Sequence, residues 1–394
     1  MRLDALSAVD EATVFAAGAP VGTLRRTDAG VVFAYDAGYA GPPVATSLPV
    51  HGAAPDPRPG AVPPFFAGLL PEGRRLTALR VAAKTSADDD LTLLMAVGAD
   101  TVGHVQVFPS GEPVSAAEDD PVGAFEDVKF HELFASVLGR DPADRVGLPG
   151  VQDKISGRMI SLPVAYAADA WILKLNPPEF PHLVENEAFF LDAAKASGLA
   201  VAHHTVVHDA DGATGLLVRR FDRTPALRLP QEDGCQVARR YPADKYRLTS
   251  EELVTQLSAQ CGAPIVAART LLQQLVFAYV SCNGDAHAKN FSIVRRVGEW
   301  VVSPAYDLPS SHPYGDTTMA LTVQGKRSED IGRADFLALA GTVGVRERAA
   351  ARVVDELLDA VPQWRSRLDE LPFDARRVHM LGKAVDYRMA RLRG

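Results

Sequence analysis

The chain contains 394 residues, of which 47% are hydrophobic and 23% are charged, so its composition is that of a folded globular protein. Because a single hydrophobic core stops growing at about 250–300 residues, this length argues against a one-domain protein. The 49 acidic residues outnumber the 41 basic ones, and the net charge of −8 argues against a broad nucleic-acid-binding surface.

Residues 1–110 are predicted to form a small strand-rich module, because short apolar runs such as 31–35 alternate with Gly and Pro. One helix is expected to interrupt this module. Ser86 is placed to cap that helix, and the acids at 88–90 fall in its first turn, where the helix dipole favours negative charge. A strand at Val105–Phe108 is predicted to close the module.

Residues 111–124 are rich in Pro, Ser, Ala and acids and lack apolar periodicity, which is typical of a linker. Residues 125–230 are then predicted to form an α+β lobe. Its predicted elements are a helix after residue 125, a Gly/Pro loop at 147–150, strands at 170–175, 201–208 and 214–220, and a helix at about 185–197.

Residues 231–394 are predicted to be mostly helical, because apolar residues recur at helical spacing over long stretches. These stretches are 251–261, 264–282, 334–341, 346–361 and 376–392. A sheet with one helix, followed by a helical part, predicts the α+β fold class.

The cysteines and the hydropathy of the chain indicate its compartment. Cys235, Cys261 and Cys282 are widely separated and form no C-x-x-C pair, so neither a disulfide framework nor a structural zinc site is indicated. No segment approaches the roughly 20 apolar residues that a membrane span requires. We therefore expect a cytoplasmic protein that is not inserted in a membrane.

The segment 283–293 is the most informative part of the sequence, because polar residues crowd a loop between a strongly apolar helix and a short strand. Asp285 and Asn290 stand there in a D-x-x-x-x-N pattern. In a kinase catalytic loop this spacing lets the Asp accept the proton of the substrate hydroxyl while the Asn reaches a metal ion. The same spacing also occurs in turns and caps, so the pattern alone does not separate the two interpretations.

Asp307 follows a short apolar run downstream of Asn290, where a kinase places its metal-binding Asp. Mg²⁺ prefers hard oxygen ligands and keeps several waters, so one carboxylate, one amide oxygen and the phosphates of a nucleotide suffice to hold it. Asn290 and Asp307 are therefore the candidate metal ligands. The alternative is that Asp307 is a turn residue before Pro309.

Lys174 lies within the strand-like apolar run 171–175, where burial of an unpaired ammonium group would be costly. In a kinase site such a lysine contacts the α- and β-phosphates of ATP and pairs with a Glu on a helix. Glu187 is predicted to be this partner, with Glu185 as the alternative. If neither applies, Lys174 extends along the strand end to reach solvent.

The loop 147–152 precedes that strand, and its glycines would let backbone N–H groups approach phosphate oxygens closely. It is neither a Walker A motif nor a G-x-G-x-x-G motif, and by itself it is a turn. The order along the chain is a glycine loop, a strand lysine, a helix glutamate, a D-x-x-x-x-N loop and a second Asp. That order favours an ATP-dependent phosphotransferase.

At these positions the chain resembles a known family, the HipA-like serine/threonine kinases of bacterial toxin–antitoxin systems. Asp285–Ser292 is similar to the most specific signature of the family, D-x-H-x-K-N-F-S, and Tyr306–Leu308 resembles its metal-binding Y-D-[IVL]. Further similar segments span nearly the whole chain: Leu70–Gly73, Gly98–Gly103, Gly150–Lys154, Phe221–Arg223, Asp233–Gln236 and Lys245–Tyr246.

The resemblance implies a two-lobed, protein-kinase-like core that binds ATP and Mg²⁺. It implies Asp285 as the catalytic base and Lys174 as a phosphate ligand, with Asn290 and Asp307 on the metal ion. His287 is counted with the catalytic residues, although in this loop it is expected to brace the backbone or Asp307 by hydrogen bonding. The remaining predicted nucleotide-binding residues are Gly150, Val151, Gln152 and Lys154 in the glycine loop and Val218, Arg220 and Phe221 in an adenine hinge.

The resemblance also implies partners. It implies a protein substrate, of which aminoacyl-tRNA synthetases are the type known in the family. It further implies a HipB-like helix-turn-helix antitoxin that neutralises the kinase and supplies most of the contact with DNA, which agrees with the acidic net charge.

One position departs from the family. Gly147 stands where family members often carry a serine that autophosphorylates and displaces the phosphate loop. Inactivation by that route is therefore not expected here. Ser156 lies nearby in the sequence, but nothing in its position indicates that it substitutes.

Two other functions stay open at the level of the sequence. A small-molecule or lipid kinase would use an equivalent loop, and the phosphate-site motifs do not separate it from a protein kinase. The N-terminal module and the segment 235–246 favour the toxin-like kinase, since neither is needed merely to hold ATP. A catalytically silent protein that acts only within a complex of antitoxin and DNA is disfavoured, because the candidate base, the lysine and both metal ligands occur together.

Overall fold

The computed structural model describes residues 3–52, 58, 60–86, 88–113, 123–133, 159–167, 169–328 and 330–394. Within these residues, three antiparallel sheets and a larger set of helices make up an α+β fold, as the sequence predicted. The largest cluster of buried apolar side chains lies in the helical C-terminal part. Smaller clusters lie under the N-terminal sheet and the central sheet.

The N-terminal module is built on a sheet of four strands. They are β1 (Glu11–Ala16), β2 (Ala19–Thr27), β3 (Gly30–Tyr35) and β4 (Val105–Pro109). Neighbouring strands pair antiparallel in the order β3-β2-β1-β4. In β1, Ala12 and Val14 are buried while their neighbours are partly exposed, which is the period-two pattern of a sheet with one face on a core.

Three α-helices lie between β3 and β4 in the described part of the module, whereas the sequence predicted one. They are α1 (Pro64–Ala67), α2 (Gly73–Ala82) and α3 (Asp90–Val97). The missed α1 is a single turn of four residues. The missed α2 contains three arginines and no fully buried residue, so its sequence lacks the apolar periodicity by which helices are predicted.

Helix α3 is capped by Asp89, so the prediction of Ser86 as the cap is wrong. The carboxylate of Asp89 accepts a hydrogen bond from the N–H of Thr92 at 3.3 Å. It also accepts one from the guanidinium of Arg26 in β2 at 2.6 Å. That contact between distant parts of the chain helps select Asp89, and a local capping pattern does not reveal it.

The central sheet holds the predicted lysine. Its strands are β5 (Ile160–Tyr166), β6 (Asp169–Leu175), β7 (His204–His208) and β8 (Thr214–Arg219), arranged antiparallel in the order β5-β6-β8-β7. Helix α4 (Leu183–Ala196) packs against β6, β7 and β8. Because Lys174 lies on β6 with a strand on either side, its position is fixed by the sheet.

The C-terminal part is helical, as predicted, apart from a small antiparallel sheet. Its helices are α5 (Gly234–Val237), α6 (Ser250–Gln260), α7 (Pro264–Val280), α8 (Arg333–Thr342), α9 (Glu347–Arg365) and α10 (Ala375–Arg393). The strands are β9 (Gln231–Asp233), β10 (Ser292–Arg296) and β11 (Glu299–Val302), in the order β11-β10-β9. Nearly every residue at 271–280 of α7 is buried, so this helix is the centre of the lobe.

The predicted division into domains stays a prediction. Residues 114–122 of the predicted linker lie outside the described residues. Within the described residues, no helix combines the length and the apolarity that crossing a bilayer demands.

Candidate active site

The loop between α7 and β10 contains the polar residues that the sequence singled out. After α7 ends at Val280, Cys282 adopts the left-handed conformation with φ 58°, which turns the chain out of the helix. The side chain of Asn283 then bridges two segments. Its Oδ1 accepts the N–H of Asp285 at 3.0 Å, and its Nδ2 donates to the carbonyl of Asp307 at 3.2 Å. The loop and the segment of Asp307 are thereby held together.

Asp285 and Asn290 are connected within the loop. The Nδ2 of Asn290 donates to the carbonyl oxygen of Asp285 at 3.0 Å, so the amide oxygen is the atom of Asn290 that suits a metal ion. The Asp285 side chain is buried, and its Oδ1 accepts a hydrogen bond from the hydroxyl of Tyr246 at 2.6 Å. Tyr246 therefore orients the carboxylate that was predicted to be the base.

Lys174 lies buried between two carboxylates. Its Nζ donates to Oε1 of Glu187 at 2.7 Å and also contacts Oδ1 of Asp307. Glu185, the alternative partner, instead accepts a hydrogen bond from Nδ2 of Asn176 at 3.0 Å. A single ammonium group thus joins β6, α4 and the segment that follows β11.

The charges in this cluster shift each other's pKa. Burial by itself would lower the pKa of Lys174, but the carboxylates of Asp307 and Glu187 raise it above its usual value, so the ammonium group stays charged. Burial raises the pKa of Glu187 to about 7, with the charge of Asp307 adding to this effect and Lys174 opposing it. One positive charge therefore faces two acids.

Asp307 has φ 53°, in the left-handed region that few residues other than Gly adopt. Such conformations persist where surrounding contacts hold them, and they concentrate at functional sites. Here the backbone of Asp307 is hydrogen-bonded to Glu187, and its carbonyl accepts from Asn283. The alternative of a plain turn residue does not account for the contact with Lys174.

A cleft of about 270 Å³ opens between the N-terminal module, β5 and the loop that joins α7 to β10. Four predicted residues line it, namely Lys174, His287, Asn290 and Asp307. Asp285 is not among the described lining residues, since its carboxylate is held by Tyr246. Catalytic hydrogen bonds often form only when the substrate is bound, so this position does not exclude a role as base.

The donor atoms in the cleft fit Mg²⁺ bound together with nucleotide phosphates. Asp307 and Asn290 both line this cleft, and a carboxylate and an amide oxygen are hard ligands. Across the described ranges, no three His, Cys, Asp or Glu side chains group so as to hold a metal by themselves. Mg²⁺ in nucleotide sites takes one or two protein carboxylates and completes its shell with phosphate and water.

The predicted role of His287, which was to brace the backbone or Asp307 by hydrogen bonding, stays a prediction. Its Nδ1 is buried and has no hydrogen-bond partner among the described residues. The ring instead packs edge-on against Tyr246, with 5.1 Å between ring centroids. Burial lowers the pKa of His287 to about 4, so the imidazole is neutral near pH 7 and lines the cleft as an uncharged group.

The predicted hinge residues make contacts outside the described lining of this cleft. Val218 pairs with Ile172 in the central sheet, and the ring of Phe221 packs against Tyr306 at 5.4 Å. The guanidinium of Arg220 is directed to other partners, the carboxylates of Asp100 and Asp222. These three residues are not among the described lining residues of the cleft. The predicted glycine-loop residues Gly147, Gly150, Val151, Gln152 and Lys154, and also Ser156, lie outside the described residues.

The N-terminal module brings a carboxylate to the loop between α7 and β10, a contact that the sequence did not predict. Glu72 contacts Nζ of Lys289 at 2.7 Å and Nζ of Lys245 at 2.5 Å. Burial by itself would raise the pKa of Glu72, but the two ammonium groups lower it far below its usual value. The available signal was that Glu72 and Lys245 both lie in segments that resemble the family.

Two family models match the chain. Residues 12–108 match the family model described as HipA N-terminal domain, and residues 146–365 match the model described as HipA-like C-terminal domain. Together the two models cover most of the chain.

Curated relatives and a solved structure are similar to the chain over most of its length. "Putative kinase Y4dM" of Sinorhizobium fredii is 31% identical, over 91% of this chain and 92% of the relative. "Serine/threonine-protein kinase toxin HipA" of Shewanella oneidensis is 26% identical, over 72% and 70%. The structure of Shewanella oneidensis HipA in complex with HipB and its operator DNA covers 96% of both chains with a TM-score of 0.78 and 21% identity. That likeness shows the same fold.

Proposed function

The chain belongs to the HipA family, and on that premise we propose that it is an ATP- and Mg²⁺-dependent serine/threonine protein kinase of the toxin type. The supporting observation is the buried Lys174, which contacts Glu187 and Asp307 beside the loop of Asp285 and Asn290. A lysine, a helix-borne Glu, a loop with Asp and Asn, and a second Asp are the parts of a phosphoryl-transfer site.

In this proposal each side chain has one task. Lys174 binds the phosphates of ATP, and Asn290 and Asp307 hold Mg²⁺, which when bound neutralises phosphate charge. Asp285 accepts the proton of the acceptor hydroxyl, and Tyr246 orients its carboxylate. The adenine hinge at 218–221 and the phosphate loop at 150–154 complete the proposed nucleotide site.

The proposed partners follow from the family and from the charge of the chain. We propose a protein substrate, with an aminoacyl-tRNA synthetase as the first candidate, and a HipB-like helix-turn-helix antitoxin. The solved structure with a similar fold holds HipA together with HipB and operator DNA. Because this chain has a net charge of −8, we propose that DNA is contacted mainly through the antitoxin, in the cytoplasm.

The test of this function is phosphate transfer by the purified full chain. With γ-labelled ATP, Mg²⁺ and bacterial lysate, we expect label on protein hydroxyl groups. Asp285→Asn removes the base but keeps an oxygen that can accept from Tyr246, so we expect transfer to fall at least about 100-fold while the circular dichroism spectrum is unchanged. Asp359→Asn, at an exposed position on α9, is the matched control and is expected to retain full transfer.

The same experiment separates the alternatives. Label confined to small metabolites or lipids would identify a small-molecule or lipid kinase. The absence of any transfer would favour a silent protein that acts only within a complex. Undiminished transfer by Asp285→Asn would remove Asp285 from the mechanism.

A further inference from the structure

We infer that Glu72 of the N-terminal module is a positioning residue of the active site, which holds the catalytic loop in its working shape through Lys289 and Lys245. This inference rests on the proposed kinase function. It makes the N-terminal module a part of the catalytic centre and not only a surface for partners.

The contacts of Glu72 reach the loop from two sides. Lys289 lies between Asp285 and Asn290 in the sequence, and its Nζ is 2.7 Å from Oε1 of Glu72. Lys245 lies next to Tyr246, whose hydroxyl donates to Asp285, and its Nζ is 2.5 Å from the other oxygen of Glu72. One carboxylate thus binds the lysine within the loop and the lysine beside the residue that orients the base.

The backbone reinforces this arrangement. The carbonyl of Lys245 accepts the N–H of Ala288 at 3.1 Å, so the segment of Lys245 and the loop are joined directly. The module also offers the carbonyl of Gly68 to Nζ of Lys289 at 3.4 Å. Displacement of Glu72 would therefore be transmitted to both the base and the metal-binding amide.

Glu72 supplies the negative charge that compensates two nearly buried ammonium groups. The side chains of Lys289 and Lys245 are only 12% and 14% exposed, so their ammonium groups need an anion nearby. Besides Glu72, Lys289 has Asp233 at 3.8 Å, too far for a hydrogen bond. Without Glu72 the two cations repel each other, and the loop that contains Lys289 moves away from the lysine beside Tyr246.

The test compares Glu72→Gln with Thr46→Val in the full chain. Thr46 also joins the module to the kinase core, since its N–H and hydroxyl bind Glu232 at 2.7 and 2.8 Å, but it does not contact the loop. For Glu72→Gln we expect kcat to fall at least about tenfold. The KM for ATP is expected to rise by a smaller factor than kcat falls, because the phosphate ligand Lys174 is untouched while Asn290 shifts. Thr46→Val is expected to keep the kcat of the native protein.

Hydrogen exchange of a peptide that covers 283–291 is the second readout, and it does not depend on activity. We expect faster exchange in Glu72→Gln and unchanged exchange in Thr46→Val. If Glu72→Gln fails to fold, Glu72→Asp takes its place, since it keeps the charge at a greater distance from the lysines. A smaller fall in kcat, about threefold, is then expected.

The outcomes are distinct for the two proposals. A native protein without phosphate transfer would defeat the proposed function, and hydrogen exchange would still test the role of Glu72. Native kcat and native exchange in Glu72→Gln would overturn the positioning role. Equal losses in Glu72→Gln and Thr46→Val would overturn it as well, because docking of the module alone would then explain both.

Discussion

At the scale of single residues, the site depends on buried charges that compensate each other. Lys174 is almost completely buried, and it stays charged because the carboxylates of Glu187 and Asp307 accept hydrogen bonds from its ammonium group. A buried ion pair adds little net stability, whereas removal of one partner leaves an uncompensated charge. The lysine is thus needed for the order of the site as well as for the proposed binding of phosphate.

The first prediction concerns Lys174→Met. This change leaves the buried carboxylate of Glu187 and the partly exposed carboxylate of Asp307 without a cation, so we expect the free energy of unfolding at pH 8 to fall by about 3 kcal/mol. Burial already raises the pKa of Glu187 to about 7, and loss of the ammonium group raises it further. Glu187 is then protonated at pH 5, and the destabilisation should be smaller there.

Urea unfolding of Lys174→Met and of the native protein at both pH values measures this difference. The double variant Lys174→Met/Glu187→Gln is the control, since it removes one of the two acids and should recover part of the stability. An equal loss at pH 5 and pH 8 would contradict the charge argument.

At the scale of elements, local sequence patterns located most helices but not all of their ends. The stretch predicted at 264–282 is the helix Pro264–Val280, and the stretch at 376–392 is Ala375–Arg393. By contrast, α3 begins at Asp90 and not after Ser86. Asp89, and not Ser86, caps the helix, and Asp89 also binds Arg26 on a strand that is distant in the sequence.

The second prediction concerns this cap. Asp89→Ala removes the acceptor for the N–H of Thr92 and the partner of Arg26, so we expect the free energy of unfolding to fall by about 1–2 kcal/mol. Ser86→Ala, at an exposed residue, should change it by less than about 0.5 kcal/mol. Chemical unfolding of both variants decides between the two caps. A larger loss for Ser86→Ala would restore the assignment made from the sequence.

At the scale of the whole molecule, polar contacts join the N-terminal module to the kinase-like core at several points. Asp100 binds the guanidinium of Arg220 at 2.7 and 2.8 Å, and Thr46 binds Glu232. Nε2 of Gln236 donates to the carbonyl of Phe65 at 2.9 Å. Partly buried charges at such an interface make docking of the module depend on pH.

The third prediction concerns Glu232, whose pKa burial raises from 4.5 to about 7. A carboxyl group whose pKa is higher in the folded than in the unfolded protein stabilises the fold fully at pH values below its unfolded-state pKa. This stabilisation is lost as the pH rises through its folded-state pKa. The native protein should therefore lose stability between about pH 4.5 and pH 7, by up to about 3 kcal/mol from this group.

Glu232→Gln removes the ionisation while its amide can still bond both groups of Thr46. We expect this variant to be more stable than the native protein at pH 8 and to lack this part of the pH dependence. Denaturant unfolding at pH 5 and pH 8 measures both quantities. Parallel pH dependence of the two proteins would exclude Glu232 as the source.

The sequence by itself determined the fold class, the helical C-terminal part and the order of the candidate groups from Lys174 to Asp307. These features depend on residue periodicity and on spacing within short segments, so they can be seen without coordinates. The pairing of Lys174 with Glu187 could also be predicted from the sequence, because Lys174 lies on one strand and Glu187 on the helix that follows it.

Only the tertiary structure decided which distant groups meet. It brought Asp307 to Lys174, gave the cap of α3 to Asp89, left Nδ1 of His287 without a hydrogen bond and set Glu72 against Lys289. Each of these outcomes depends on how separate elements pack and on the cost of burying a charge without a partner. That cost is decided by the surroundings of the folded residue, which are absent from a local pattern.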